Sequence, residues 1–195
     1  MSARANARPL GIRGLMLDPA RLTERHEFYF DMLERMSDWG FNTLWWHFVD
    51  DEGFVLKLDG HPELASPLAF SKAETRRLIR RADELGIEVV PEVECLGHAT
   101  YITHLPQYAH LADGDPHHFN ALCPSHPDTM KLLREVVEEV ADLFPSPMFH
   151  AGLDEVDLSG CARCRRRIAK RGHWRIFADH VCALHDILAG CGKRM

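Results

Sequence analysis

The sequence predicts an α/β fold: a TIM (β/α)8-type barrel, truncated after about four βα units. Three observations predict it. Strand-like and helix-like segments alternate through the 195 residues in the order β-α-β-α-β-α-β-α. Long connections follow strands and short ones follow helices, as in a barrel whose loops gather at the carboxyl ends of its strands. No glycine-rich phosphate loop follows any strand, which disfavours the alternative, a doubly wound open sheet. A complete barrel needs ~250 residues. Residues 1–195 therefore read as one domain, the N-terminal half of a barrel, with two open sheet edges.

Each element has its own signal. Leu10 to Leu17 is a compact, mostly apolar run. From Glu24 to Trp39 the pattern is helical, with Phe28, Met32, Met36 and Trp39 on one face and Gly40 as the stop. Asn42 to Val49 is rich in aromatic and apolar residues, as a strand covered on both faces would be. Asp50 to Phe70 reads as a loop. Ser71 and Glu74 form a capping box before a helix that buries Leu78, Ala82 and Leu85 and ends at Gly86. Ile87 to Val90 is the third strand, near its end at Pro91. After a long loop, Ser125 caps a helix with Leu133, Val136, Val140 and Leu143 inward. Pro147 to Leu153 is the fourth strand, and Trp174 to Leu188 the last helix, striped by Phe177, Val181, Leu184 and Leu188.

Composition narrows the function. The formal charge of −6 argues against a nucleic-acid binder, because phosphate contacts want a basic face. The basic run Arg163 to Lys170 reads as a solvated helix end. Met1 to Gly14 lacks the long apolar run of a signal peptide or membrane anchor. The six cysteines then read as reduced thiols in a cytoplasmic protein. Cys161 and Cys164 have the spacing of a metal or redox pair, but no second pair completes a zinc set, so structural thiols are preferred. His117 and His118 read as loop residues, and Trp45 and Trp46 as core.

Polar residues collect after every strand: Asp18 and Arg21, then Asp50, Asp51 and Glu52, then Glu92, Glu94 and His98, then Asp154, Glu155 and Asp157. Parallel strands would bring these groups to one rim. Asp154 and Glu155 carry the most weight. Adjacent carboxylates where a buried strand runs out are costly unless paired, neutralised or used. Side chains alternate along a strand, so two neighbours share a site only where the strand has ended. The pair reads as catalytic.

Four stretches together resemble the catalytic barrel of glycoside hydrolase family 20, the β-N-acetylhexosaminidases. They are Arg13 to Asp18, Phe41 to Asp51, Pro91 to His98, and Phe149 to Val156, in family order and spacing. The lack of a preceding accessory domain is similar to the intracellular hexosaminidase D-like branch. The resemblance implies a retaining, substrate-assisted glycosidase with no cofactor and no metal, acting on terminal β-linked N-acetylhexosaminides. It implies Glu155 as general acid/base and Asp154 as the carboxylate that holds the 2-acetamido group. It further implies Arg13 as a binder of ring hydroxyls, Asp50 as an acidic residue behind the pocket, and Glu94 with His98 as a histidine–carboxylate pair. Asp51 reads as a solvated loop charge. Glu94 stands where the family usually has Asp, Leu96 where Pro is usual, and Leu153 where the family has its second Gly. The family's aromatic pocket walls come from the other half of the barrel. The rest of that barrel, or a second copy pairing through the open edges, would be the partner. A non-catalytic, vestigial sugar-binding half barrel is the alternative reading.

Overall fold

The computed structural model of the chain describes residues 10–115 and 121–195. His117 and His118 lie outside the described residues. The elements are β1 (Gly14–Leu17), α1 (His26–Asp38), β2 (Thr43–His47), β3 (Val49–Asp50), β4 (Gly53–Phe54), α2 (Lys72–Glu84), β5 (Glu88–Glu92), α3 (Thr100–Thr103), α4 (Pro127–Leu143), α5 (Ala162–Arg171) and α6 (His173–Gly190). β1, β2 and β5 form a parallel sheet in that order. The predicted fourth strand extends it through backbone bonds. His150 N–H donates to Pro91 O at 2.9 Å, Val93 N–H to His150 O at 3.0 Å, and Cys95 N–H to Ala151 O at 3.1 Å. On the far side, Arg194 N–H donates to Pro147 O at 2.7 Å and Phe149 N–H to Arg194 O at 3.0 Å. Extended segments therefore stand side by side in chain order, with helices between them, as expected of alternating α/β. The segment read as a loop from Asp50 holds the antiparallel hairpin β3–β4.

The two faces of the sheet differ. Leu15, Leu44 and Val89 share one row and Leu17, Trp46 and Pro91 the next but one. This face packs on the helices: the Tyr29 ring of α1 stacks on Trp46 at 5.6 Å between centroids. The opposite face carries Met16, Trp45 and Val90, then His47, Glu92 and His150 towards the carboxyl end.

Helix α1 buries Tyr29, Leu33 and Met36: of the predicted stripe Met36 is buried, Phe28 and Met32 give way to their neighbours Tyr29 and Leu33, and Trp39 is exposed. Tyr29 sets the phase, wedged between Trp46 and Phe70. The capping box of α2 is formed in both directions: Ser71 Oγ accepts from Glu74 N–H at 3.2 Å and Glu74 Oε2 accepts from Ser71 N–H at 2.8 Å. Helix α4 buries the four predicted residues, but its cap is His126, whose Nδ1 accepts from Asp128 N–H at 3.2 Å. In α6 the buried stripe is Ile176, His180, Leu184, Ile187 and Leu188. His180 is drawn inward because its Nε2 lies 2.9 Å from Cys95 O. Among the described residues, no helix is long and apolar enough to cross a membrane.

Candidate active site

The carboxyl end of the sheet gathers the predicted polar clusters into one connected network. Arg21, just after β1, sits with Nη2 2.7 Å from Asp50 Oδ2 and Nη1 3.0 Å from Asp18 Oδ2. Asp50 Oδ2 is also 2.9 Å from His47 Nε2. His47 Nδ1 lies 2.8 Å from Glu92 Oε2, and His150 Nδ1 lies 2.7 Å from Glu92 Oε1. Trp45 Nε1–H donates to Glu92 Oε2 at 2.9 Å. Glu92 is thus gripped by three side chains. Burial alone would raise its pKa, but the bonds and charges of His150 and His47 outweigh burial and hold it at about 2. His47 responds in the opposite sense: burial would lower it, and its bonds to Glu92 and Asp50 raise it to about 9. Glu94, two residues on, has a buried carboxyl with one weak donor, Leu153 N–H at 3.3 Å. Burial first, then the nearby charges of Asp154 and Glu92, push it up to about 7.

His98 joins this network to the acid pair. Its Nδ1 lies 3.0 Å from Asp51 Oδ2 and 3.6 Å from Asp50 Oδ1. Its Nε2 points the other way, 3.4 Å from Glu155 Oε2 and 3.8 Å from Asp154 Oδ2. Those last contacts are long, and the nitrogen is buried with no hydrogen bond made. Burial would lower the pKa of His98; the bond to Asp51 and the charges of Asp50, Asp51 and Glu94 raise it. Asp154 and Glu155 themselves are 66% and 78% exposed at the side chain. Glu155 borders a cavity of about 440 Å³ that Asp51, His98, Asp113, Asp157 and Gly160 also line.

Backbone geometry at the rim is unusual. His98, Leu153 and Glu155 have φ of +46°, +89° and +49°, and Gly152 has +64°. Non-glycine residues held there cost about 1–3 kcal/mol each and cluster at functional sites. Leu153 therefore occupies backbone that favours glycine. Gly152 has a second reason to be glycine, because a Cβ would run into the Glu94 carboxylate.

Of the predicted site residues, the structure brings together Asp50, Glu94, His98, Asp154 and Glu155. It does not bring Arg13. That residue precedes β1 at the opposite end of the sheet, where its Nε donates to Gly40 O and its Nη1 to Leu10 O, both at 2.7 Å. The guanidinium at the rim is that of Arg21. The expected pairing of Glu94 with His98 is likewise replaced. The carboxylate on His98 is Asp51, which is not a solvated loop charge: its Oδ1 also accepts from Thr100 N–H at 3.0 Å and Thr100 Oγ1–H at 2.7 Å. His47, Glu92 and His150 join the site without a role assigned from the sequence, although all lie in the four family-like stretches. The signal available was strand alternation, which puts Trp45, His47, Glu92 and His150 on one face. Two sets here, His47–Glu92–Glu94 and Asp50–Asp51–His98, are compact enough to grip a cation, but each histidine is already engaged by carboxylates.

Comparison with known proteins gives a consistent picture. The catalytic domain of glycosyl hydrolase family 20 matches residues 11–195. A β-hexosaminidase of Vibrio furnissii is 30% identical over 194 residues, covering 83% of this chain and 32% of that protein. The human β-hexosaminidase subunit beta is 28% identical over 159 residues, covering 74% of this chain and 28% of its own. Among solved structures, the Flavobacterium johnsoniae chitobiase superposes with a TM-score of 0.83 at 27% identity, covering 94% of this chain and 30% of that one. The Vibrio harveyi exo-β-N-acetylglucosaminidase in complex with N-acetylglucosamine gives 0.80 at 26%, over 94% and 34% of the two chains. The chain spans about a third of the length of these relatives.

Proposed function

The chain belongs to glycosyl hydrolase family 20, and from that premise we propose that residues 1–195 are the N-terminal, acid-bearing half of a (β/α)8 glycosidase domain. The chain-order parallel pairing and the long loops after the strands support the barrel reading. The proposed reaction is removal of terminal β-linked N-acetylhexosamine with retention of configuration. Glu155 donates a proton to the departing glycosidic oxygen. The substrate's acetamido oxygen attacks the anomeric carbon as that bond breaks, forming a cyclic oxazolinium-type intermediate. Asp154 accepts the acetamido N–H, which grows more acidic as positive charge develops. Glu155 then takes a proton from water as the water opens the ring, and the amide is regenerated.

The observation that carries this reading is His98. One ring nitrogen is anchored on Asp51 and the other faces both carboxylates. That arrangement fixes the ring and places a proton-holding group beside the acid. Arg21, rather than Arg13, takes the part of the rim guanidinium suited to sugar hydroxyls. Asp50 orients Arg21 and His47 from behind. Glu94 lies under the pair, its carboxyl against the Leu153 N–H. A cytoplasmic setting remains part of the reading, and the six free cysteines suit a reducing compartment.

The test is release of chromophore from an aryl N-acetyl-β-glucosaminide or galactosaminide. Glu155→Gln should lower kcat by roughly 10²–10⁴-fold. The first product, followed by NMR, should keep the β configuration. An inverted product, or a Glu155→Gln variant with undiminished rate, sinks the mechanism. The exposure of Asp154 and Glu155 favours one second reading, sugar binding without turnover. Calorimetric binding of N-acetylglucosamine by a protein that hydrolyses neither glycoside would select it.

A further inference from the structure

Beyond the acid pair, a second constellation of side chains stands on the same side of the molecule. Cys161 is the N-cap of α5, and its Sγ accepts from Cys164 N–H at 3.2 Å. The Cys123 sulfur, distant in sequence, lies 3.4 Å from Cys161 Sγ and 3.6 Å from Cys164 Sγ. Asp113 completes the group: its Oδ1 accepts from Cys161 N–H at 2.9 Å and its Oδ2 from Gly160 N–H at 3.3 Å. One donor atom from each of Asp113, Cys123, Cys161 and Cys164 falls within 4.8 Å of the others, and three of the four residues are buried.

A disulfide explains this cluster poorly. It would join two sulfurs at ~2.05 Å and leave the third with only weak partners. Thiols are weak hydrogen-bond donors, so three of them against a buried carboxylate gain little from one another. A tetrahedral ion accounts for all four. With Zn–S of ~2.3 Å, the sulfurs of a tetrahedral zinc site stand ~3.8 Å apart. The observed 3.4 and 3.6 Å fall a few tenths short of that edge. Three thiolates select a soft ion over magnesium or calcium, and a carboxylate is an accepted fourth ligand. Three thiolates and a carboxylate would exceed the charge of Zn²⁺ by two. Positive charge is at hand: the set sits at the N-terminal end of α5, Arg165 Nη1 is bonded to Gly160 O at 2.6 Å, and Arg167 Nη1 reaches Ser125 Oγ at 3.2 Å. Ser125 Oγ in turn accepts from Cys164 Sγ at 3.3 Å.

We propose that Asp113, Cys123, Cys161 and Cys164 bind a structural Zn²⁺ ion. Asp113 and Cys123 belong to the loop after β5 and flank the bridge Ala112–Leu122. Cys161 and Cys164 follow the loop that carries Asp157 to Gly160. Both loops line the cavity beside Glu155, through Asp113 on one side and Asp157 and Gly160 on the other. The ion ties one wall of the pocket to the other and leaves the reacting groups untouched. The site does not depend on the glycosidase reading, because it is read by metal content alone.

The experiment measures zinc in the protein purified without chelator, then replaces it with cobalt. One equivalent of zinc and an intense thiolate-to-cobalt charge-transfer band are expected. Cys123→Ser and Asp113→Asn should each weaken zinc binding at least tenfold, while Cys182→Ser leaves it unchanged. A chelator should lower Tm in the wild type and have no effect on a variant that has lost the ion. Where Cys123→Ser fails to fold, the cobalt spectrum of the wild-type protein decides alone. Absence of that band overturns the proposal. So does a disulfide between any two of the three cysteines, detected by mass spectrometry after alkylation without reductant.

Discussion

At the scale of single residues, the fold controls the protonation of Glu94. Its carboxyl is buried, and its pKa rises from 4.5 to about 7 because of burial and the charges of Asp154 and Glu92. The unfolded chain ionises first, so this group subtracts stability as pH rises from 4.5 to about 7, and the loss is complete above that. The loss is on the order of 3 kcal/mol. His180 works in the opposite direction: burial lowers its pKa from 6.5 to about 4, so its contribution is lost as pH falls through that interval. The total curve therefore hides the Glu94 effect, and the variant reveals it. In Glu94→Gln the Tm should gain on the wild type progressively between pH 4.5 and 7, with the difference then constant. Parallel curves for the two proteins across that range would show that Glu94 ionises as freely as in the unfolded chain. The residue scale is also where sequence reading was least complete. Asp50 and Asp51 are indistinguishable as neighbours in a string. Only the packing of Thr100 under Asp51, and of His47 and Arg21 against Asp50, assigns each its partner. Arg13 and Arg21 likewise differ by which end of β1 they occupy, a matter of where the strand starts.

Secondary elements were more legible where their signals are local. The capping box of α2 and the inward stripe of α4 depend on neighbours three and four positions apart, and both are present. The N-terminal phase of α1 and α6 depends on distant partners, Trp46 and Cys95 O, and there the expected stripe differs, while Met36, Leu184 and Leu188 are buried as expected. The approach of loop to loop is equally non-local. Gly97 precedes His98, and a Cβ on it would strike the Asp154 carbonyl oxygen and stand 3.1 Å from Val156 Cγ1. This contact seats the acid-bearing loop on the loop that presents His98. Gly97→Ala must push the two apart, because the backbone oxygen has no rotamer to escape into. Overpacking of this kind costs about 1–3 kcal/mol. The proposed glycosidase activity should fall more than tenfold in the variant, with Tm lowered as well. Full activity in Gly97→Ala would show that the seating of these loops is irrelevant to catalysis.

At the scale of the whole molecule, one sheet face is left uncovered by helices among the described residues. β1 pairs only with β2 among the described strands, and its residues alternate between exposed and half-buried. Met16 is 53% exposed and shares its row with Trp45 and Val90; Leu10 and Ile12, just upstream, are also exposed. An edge strand with unpaired backbone groups and apolar side chains is a template for another chain. The outward charges that usually guard such an edge are missing from Gly14 to Leu17. At the carboxyl end the same face is polar, with Glu92 set between His47 and His150. The expected association is therefore directional: it would use β1 and the lower half of the face, away from the acid pair. The 195-residue chain alone is expected to associate through this edge, with an apparent mass that rises with concentration in light scattering. Met16→Lys puts a charge on the exposed row without touching the helix-packed face, and should shift the protein towards monomer while leaving the stability within about 1 kcal/mol of the wild type. A chain that is strictly monomeric at high micromolar concentration, or a Met16→Lys variant that associates as strongly, would place the association elsewhere or remove it. Covering the same row by the remaining strands of a barrel would suppress association as well, so co-expression with the rest of such a domain should act in the same direction as the lysine.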